Sequence, residues 1–446
     1  MRLKLFVVPA ILAASACLAA CDEGRVNPPD AGVRVVHAAP NLGPVVFRRV
    51  QANATTLNYR VSAGFSFDVD EYTFSLSLLA IDGSVDDTLT FTRELVEGSE
   101  YTFLLREVGG VPQVRVTETD APGSSVGAGN SRLAAIHAAP SFGPIDFFVD
   151  APGFDPSAAT PWGSIDYDED ILPEAFAAAN YEIVLTEAGN PANVLLRSEQ
   201  FALGGSQNLV LVIMDGAGQG LAPIAITVVG AGDAELVDGN LDPGIRVINA
   251  VDGGGAIDAG IDTELDPPVI ANVASLTMSD YATIPAGDHE LNVTPAGNPG
   301  VLETEAAFTA PLGRLGTWLV SGEPGTVFAG FDVDDRRVLP NEAKLNLYDG
   351  STEFDNVDVF IVEPGTDIDG VDPTMVTGAL GTRVLGRRFV PGNYELILRE
   401  TDTDSVVGGP VDISLADGGY YSVLLTNAAG GGALDVTLLD DFTVAP

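Results

Sequence analysis

Two of the three histidines in this 446-residue chain share one setting. His37 stands in Val33-Arg-Val-Val-His-Ala-Ala-Pro40, and His137 in Leu133-Ala-Ala-Ile-His-Ala-Ala-Pro140. An imidazole can serve as acid, base or metal ligand. Weaker copies of the segment, however, hold Asn249 and Asp349 at the same place. No single catalytic role fits His, Asn and Asp, whereas all three can hydrogen-bond backbone at a strand end. His37 and His137 are therefore expected to be structural. Nothing in their spacing brings the two imidazoles to one metal ion. Acid clusters offer a second chemistry: Asp166, Asp168 and Asp170; Asp332, Asp334 and Asp335; Asp367 and Asp369. Calcium needs several converging oxygens, which loops with alternate Asp can supply, but none of these clusters has the full twelve-residue calcium-loop spacing. No cofactor is expected, and structural calcium at repeat junctions stays open. Trp162, in a Pro-Trp-Gly loop, is the candidate for a surface or sugar contact, against the alternative of a plug over the sandwich end; Trp318 alternates within a strand and is expected in a core.

The motifs of the common enzyme classes are missing. There is no Gly-x-Ser-x-Gly elbow, no His-Glu-x-x-His and no phosphate loop. Gly216-Ala-Gly-Gln-Gly220 lies between two strands with no helix after it and reads as a hairpin turn. A non-enzyme is expected. Carboxylate pairs of the glycosidase kind meet only in the fold, so an unrecognised hydrolase remains an alternative.

At the N-terminus, Arg2 and Lys4 precede an apolar run from Leu5 to Leu18, followed by Leu18-Ala19-Ala20-Cys21. A charged start, a short apolar core and small residues before a cut site make an export signal. The run is short of the roughly 20 residues that span a bilayer. The Cys at the end resembles the lipobox of bacterial lipoproteins. That resemblance implies cleavage of residues 1–20 and acylation of Cys21, with residues 21–32 as lipidated Cys and tether. Each buried acyl methylene adds about 0.8 kcal/mol, so more than one chain anchors stably. The expected location is the cell envelope, periplasmic or surface-exposed, with the membrane as partner through Cys21.

Removing residues 1–20 takes away Arg2 and Lys4 and no acid, moving the net charge from −42 to −44. Lys344 is then the only Lys left. Such a field repels nucleic acid and anionic head groups, so no nucleic-acid partner is expected. Cys17 leaves with the signal and Cys21 carries lipid, so stability must come from apolar cores rather than disulfides.

Those cores are written in four repeats. Beyond the segments at 33, 133, 245 and 345, Ile145-Asp-Phe-Phe-Val-Asp150 matches Ile257-Asp-Ala-Gly-Ile-Asp262 and Val357-Asp-Val-Phe-Ile-Val362, while the first repeat has Val46 in place of the Asp. Asn180-Tyr-Glu-Ile-Val-Leu-Thr186 matches Asn393-Tyr-Glu-Leu-Ile-Leu-Arg399 and Asp288-His-Glu-Leu-Asn-Val-Thr294. The tyrosines of these segments are candidate corner residues bonded to backbone, with His289 in that place in repeat three. Period-two alternation in short Val-, Ile- and aromatic-rich runs, separated by Gly turns, predicts strands with one buried face. Glu174–Ala179 is the one place with a short helical turn expected. The fold class read from this is all-β: four tandem immunoglobulin-like β-sandwich repeats after a lipoprotein signal peptide. The expected repeat boundaries are 33–120, 132–230, 245–336 and 343–446, arranged in a row that can hold the distal repeats away from the membrane.

His37-Ala-Ala-Pro40 and His137-Ala-Ala-Pro140, with Ile145-Asp-Phe-Phe-Val-Asp150, resemble the opening of domain-of-unknown-function family 4397. The likeness is good over repeats one and two and partial over three and four, which lack the His-Ala-Ala-Pro box. It implies envelope or secreted β-domains, often in tandem, and no activity. The functional expectation is a non-catalytic, lipid-anchored envelope protein whose sandwiches bind a protein or glycan through end loops such as Ala151–Leu172 and Thr263–Ser279. The alternative to adhesion or scaffolding is a periplasmic structural or assembly factor.

Overall fold

The computed structural model describes residues 30–49, 55–120, 129–218, 220–230 and 234–439. The expected signal segment, residues 1–20, and Cys21 lie outside the described residues. Among those described there is no helix; the elements are strands throughout.

In the first repeat the strands are β1 (Asp30–His37), β2 (Val45–Arg49), β3 (Thr55–Leu57), β4 (Ser62–Asp68), β5 (Glu71–Leu79), β6 (Val85–Glu94), β7 (Ser99–Val108) and β8 (Val111–Asp120). They form two sheets, β4-β1-β7-β8 and β3-β2-β5-β6. β1 lies between β4 and β7, antiparallel to the first and parallel to the second. The other three repeats reproduce this order, with an added edge strand, Ala234–Leu236, in repeat two and a divided fourth strand in repeat three. The β-sandwiches expected from the alternation are all present. Their sheets hold eight to ten strands per repeat, with a parallel central pair that the antiparallel immunoglobulin order lacks.

Each sandwich closes over its own core. In repeat one, Val33, Val35, Phe103 and Leu105 from the first sheet meet Val45, Phe47, Phe74 and Leu76 from the second. Trp318 sits in the core of repeat three, stacked edge-on against Phe308. The segment Glu174–Ala179, expected to turn helically, instead contributes to the edge strand Asp170–Ala177, which pairs with Asn130–His137. Its register shifts between Ile171 and Glu174, around Pro173, which has no N–H to give a ladder.

The alternation expectation is incomplete for the central strands, because their second face is buried too. Val36, Ala38 and Leu104 of repeat one pack against Ala134, Ile136, Val210, Val212 and Met214 of repeat two. In the same manner, Ile248, Ala250 and Leu319 of repeat three meet Tyr348, Leu424 and Leu439 of repeat four. The parallel-pair sheets thus join face to face, and their central strands are buried on both sides; Asn208–Asp215 is buried at all eight positions. Across the first interface Arg115 pairs with Asp168 at 3.2 Å and Asp170 at 2.8 Å. Across the second the polarity is reversed, with Asp332 of repeat three against Arg383 of repeat four at 2.5 Å.

The two pairs also touch each other. Arg388 of repeat four donates to the Leu79 carbonyl of repeat one at 2.9 Å. The Leu221 N–H of repeat two donates to the Gly313 carbonyl of repeat three at 2.7 Å. The expected row is therefore replaced by a two-by-two block, since apolar sheet faces that would be exposed in a row cover one another.

Val212→Asp would bury a carboxylate without a partner in the first interface, a change that costs about 3–5 kcal/mol when uncompensated. Differential scanning calorimetry should show a lower and split transition as repeats one and two lose their contact. A single transition at the wild-type temperature would contradict the interface.

Candidate functional site

The turn after the first strand of each repeat is closed by the residue singled out from sequence. His37 is fully buried; its Nε2 lies 2.9 Å from the Gly43 carbonyl and its Nδ1 accepts the Ala39 N–H at 3.3 Å. His137 does the same with Gly143 at 3.1 Å and Ala139 at 3.3 Å. These contacts require the tautomer with the proton on Nε2. Asn249 copies both with one amide: Nδ2 donates to the Gly255 carbonyl at 3.0 Å and Oδ1 accepts the Val251 N–H at 3.2 Å. Asp349 keeps the second contact, accepting from the Ser351 N–H at 2.9 Å. Burial pushes its carboxyl up to about 6. Three residue types at four positions, different in acidity, share the bond to the N–H two residues on, which is the signature of a lock.

Beside each His stands a tyrosine, edge-on: Tyr59 at 5.9 Å from His37 and Tyr167 at 6.1 Å from His137. Each reaches into the other repeat. Tyr59 donates to the Asp215 carbonyl at 3.0 Å, and Tyr167 donates to the Glu107 carbonyl. The next residues, Arg60 and Asp168, both adopt positive φ, 68° and 69°, and also cross over. Arg60 donates to the Gly216 carbonyl at 3.3 Å, while Asp168 pairs with Arg106 at 2.8 Å. Repeats one and two thus meet about a local two-fold relation, residue for residue. Asn58-Tyr59-Arg60 and Asp166-Tyr167-Asp168 occupy matching places after the third strand, which aligning the repeats through that loop would have revealed.

The acid clusters do not assemble as cation cages: among the described residues no set of three His, Cys, Asp or Glu side chains is placed to hold a metal ion. Asp168, Asp170 and Asp332 are ion-paired as above, and Asp335 pairs with Lys344 at 2.9 Å. Asp334 is buried, receiving Thr317 Oγ1 at 2.8 Å and Tyr281 OH at 2.5 Å. Asp166 and Asp367 cap their own loops, accepting the N–H groups of Tyr167 and Asp369 at 2.7 and 3.1 Å. Trp162 is half-buried, edge-on to Phe147 and Phe176, and its Nε1 donates to Glu174 at 2.9 Å. It covers the flank of the repeat-two core and does not offer a free ring face. The repeated Asp of the second strand caps the hairpin opposite: Asp146 accepts the Gly189 N–H at 2.8 Å and Asp258 the Gly297 N–H at 2.7 Å. The corner positions bond backbone four residues back, Tyr181 to Ala177 at 3.0 Å, Tyr394 to Val390 at 2.6 Å and His289 to Pro285 at 2.8 Å.

Sequence reasoning missed the cation cluster at the centre of the block. Arg337, between repeats three and four, stacks over Tyr59 at 4.6 Å and donates to the Pro40 carbonyl at 2.9 Å. Lys344 donates to the backbone of Asp335 at 2.7 Å and of Arg337 at 3.1 Å. Arg60 and Arg314 share Glu235. Burial pushes the pKa of Arg60, Arg314, Arg337 and Lys344 below the ordinary values of their groups and that of Glu342 above it. A cavity of about 260 Å³ beside them is lined by Asn58, Arg337, Glu342, Lys344, Arg388 and Tyr420, among others. Its named cations are already engaged with carbonyls or carboxylates. The Arg336-Arg337 pair, in a chain so poor in cations, was the available signal.

Residues 243–360 match the family described as Domain of unknown function (DUF4397). The resemblance read from the sequence is thereby supported. The matched stretch is repeat three with the first two strands of repeat four, where Asn249 and Asp349 replace His in the lock. No curated protein matches the chain. Among solved structures, the Bacillus anthracis TIE protein is similar at 9% identity and a TM-score of 0.17, over 87% of this chain and 66% of that one. A candidate cell adhesion protein from Bacteroides ovatus ATCC 8483 is similar at 13% identity and a TM-score of 0.16, over 46% of this chain and 99% of that one. At those scores neither likeness reaches to function.

Burial, with a smaller contribution from Arg337, holds the His37 imidazole down to about 4. The unfolded chain takes up that proton near 6.5. The stability tied to neutral His37 is therefore full above about pH 6.5 and is lost as pH falls towards 4, by roughly 3 kcal/mol. The raised Asp349 carboxyl works in the opposite sense, losing stability as pH rises from about 4 to about 6. Replacing His37→Asn and His137→Asn together copies the Asn249 lock. The variant should fold and show a flatter fall in melting temperature between pH 6.5 and 4. His37→Ala should lose about 2–4 kcal/mol at pH 7 by leaving two buried backbone groups without partners. An unchanged acid profile in the double Asn variant would contradict this account.

Proposed function

We propose that the chain is a non-catalytic, lipid-anchored cell-envelope protein that presents a rigid block of four β-sandwiches for binding a protein or glycan. The observation that carries this reading is the use made of polar chemistry in the fold. The buried His, Asn and Asp of the turns, the tyrosines beside them and the central arginines all bond backbone or one another. Each is spent on holding loops and repeats.

The anchor supports the same reading. The Leu-Ala-Ala-Cys21 segment follows an export signal, and an acidic body on an acyl tether is repelled from anionic head groups and stands off the bilayer. Binding then falls to exposed loops and sandwich ends, on a scaffold stiff enough to lose little entropy on association.

Radiolabelled palmitate should be incorporated into the wild-type chain and lost in Cys21→Ala, which should appear in the soluble fraction. Protease treatment of intact cells carrying a C-terminal tag distinguishes surface display, with loss of the tag, from a periplasmic assembly role, with protection until the outer membrane is opened. Hydrolase activity of the purified soluble form that disappears on a single Asp or Glu substitution would overturn the non-catalytic reading.

A further inference from the structure

The loop closed by the lock carries an apolar plug in repeats one, two and four and none in repeat three. Counting from the lock residue without gaps, Leu42, Phe142 and Phe354 occupy one equivalent position, and Gly254 occupies it in repeat three. Leu42, Phe142 and Phe354 each pack on the core of their own repeat. Repeats one, two and three share the turn: the Leu42 N–H donates to Ala39 at 3.3 Å, Phe142 to Ala139 at 3.2 Å and Gly254 to Val251 at 3.3 Å. The Asn249 lock still holds Gly255 in repeat three, so the loop is closed although its plug is missing.

Val251, standing where repeats one and two have Ala39 and Ala139, takes the space next to Gly254, and beyond it a cavity of about 220 Å³ remains at that end of the sandwich, lined by Val251, Ile257, Val293, Pro295, Pro324 and Val327. Apolar cavities of roughly 150 Å³ accept a benzene ring. Glu303 stands among the lining residues, and the two residues before it, Val301 and Leu302, are exposed at 43% and 49%. Exposed Glu323 precedes Pro324. The lining is therefore apolar with one carboxylate at its rim, Glu303, which accepts the Gly325 N–H at 2.7 Å, on a strongly acidic body.

We propose that this cavity takes a Phe or Leu side chain from a partner protein segment flanked by basic residues. The sister repeats show the occupant: a Leu or Phe side chain in the same place, supplied there from within the chain. The rim and the net charge select a cationic segment over an acidic one. The site is preformed, as small-ligand sites usually are. The inference rests on the binding role proposed above but fails separately from it, since the chain can bind a partner elsewhere.

The test uses the full soluble chain and two probes, acetyl-Lys-Phe-Lys-amide and acetyl-Lys-Ala-Lys-amide, titrated by saturation-transfer NMR. The Phe peptide should bind at least about tenfold more tightly, the factor expected of one buried aromatic side chain. A Cβ on Gly254 would stand 2.7 Å from Val251 Cγ1, so the cavity is filled by Val251→Ala with Gly254→Phe, which copies repeat two. Gly254 does not have positive φ, so a side chain there meets no backbone strain. The filled variant should lose the preference for the Phe peptide. Should it fail to fold, Val327→Asp, at a half-buried lining position, should weaken the Phe peptide by a similar factor. Equal binding of the two peptides, or undiminished Phe-peptide binding in the filled and Val327→Asp variants, would overturn the proposal.

Discussion

The structure depends on the central parallel pair of strands, β1 with β7 and its counterparts, being apolar on both faces. One face closes a sandwich; the other has no use in an isolated repeat. Leaving Val210, Val212 and Met214 in water would expose a contiguous apolar patch of the kind that marks an interaction surface. Covering it with the matching face of the neighbouring repeat creates two interfaces, and the ends of the two pairs then meet around Arg60, Arg314 and Arg337. The position of the few cations follows from this. In a chain with so many carboxylates, the arginines collect where repeats approach, and they neutralise charge where it would otherwise be desolvated.

The reversed polarity of the two interfaces bears on which repeat finds which. Arg115 faces Asp168 and Asp170 in one, and Asp332 faces Arg383 in the other. Pairing repeat one with four and repeat two with three would set Arg115 against Arg383 and Asp170 against Asp332, a repulsive element that disfavours that exchange. The local two-fold relation between Tyr59 and Tyr167 shows the same economy: one loop geometry serves both directions, while Arg60 and Asp168 supply opposite chemistry at one backbone position.

Much of the fold was legible in the sequence. Period-two alternation yielded the sandwiches, and the interchange of His, Asn and Asp at one place pointed to the backbone bonds these residues make in the turn. The corner role of Tyr181 and Tyr394, with His289 as substitute, follows from spacing alone. The pairing of repeats was less legible, because Leu209-Val-Leu-Val-Ile213 is compatible with one buried face or two, and only the absence of polar residues at every second position separates them. The Asp clusters misled for a different reason. Proximity along the chain suggested shared cations, whereas Arg106 and Arg115, more than fifty residues away, reach Asp168 only when two sheets face each other. The missing plug at Gly254 is visible once the four turns are aligned, but the cavity it leaves depends on Val251 and Val327, which no alignment of turns weighs.

Small-angle scattering from the soluble chain tests the face-to-face pairing most directly. A block should give a radius of gyration near the roughly 22 Å of a compact chain of this length. Four sandwiches strung in a row, with centres about 35 Å apart, would give roughly 40 Å. The compact value is the one this account predicts; the extended value would contradict it and return the repeats to a row.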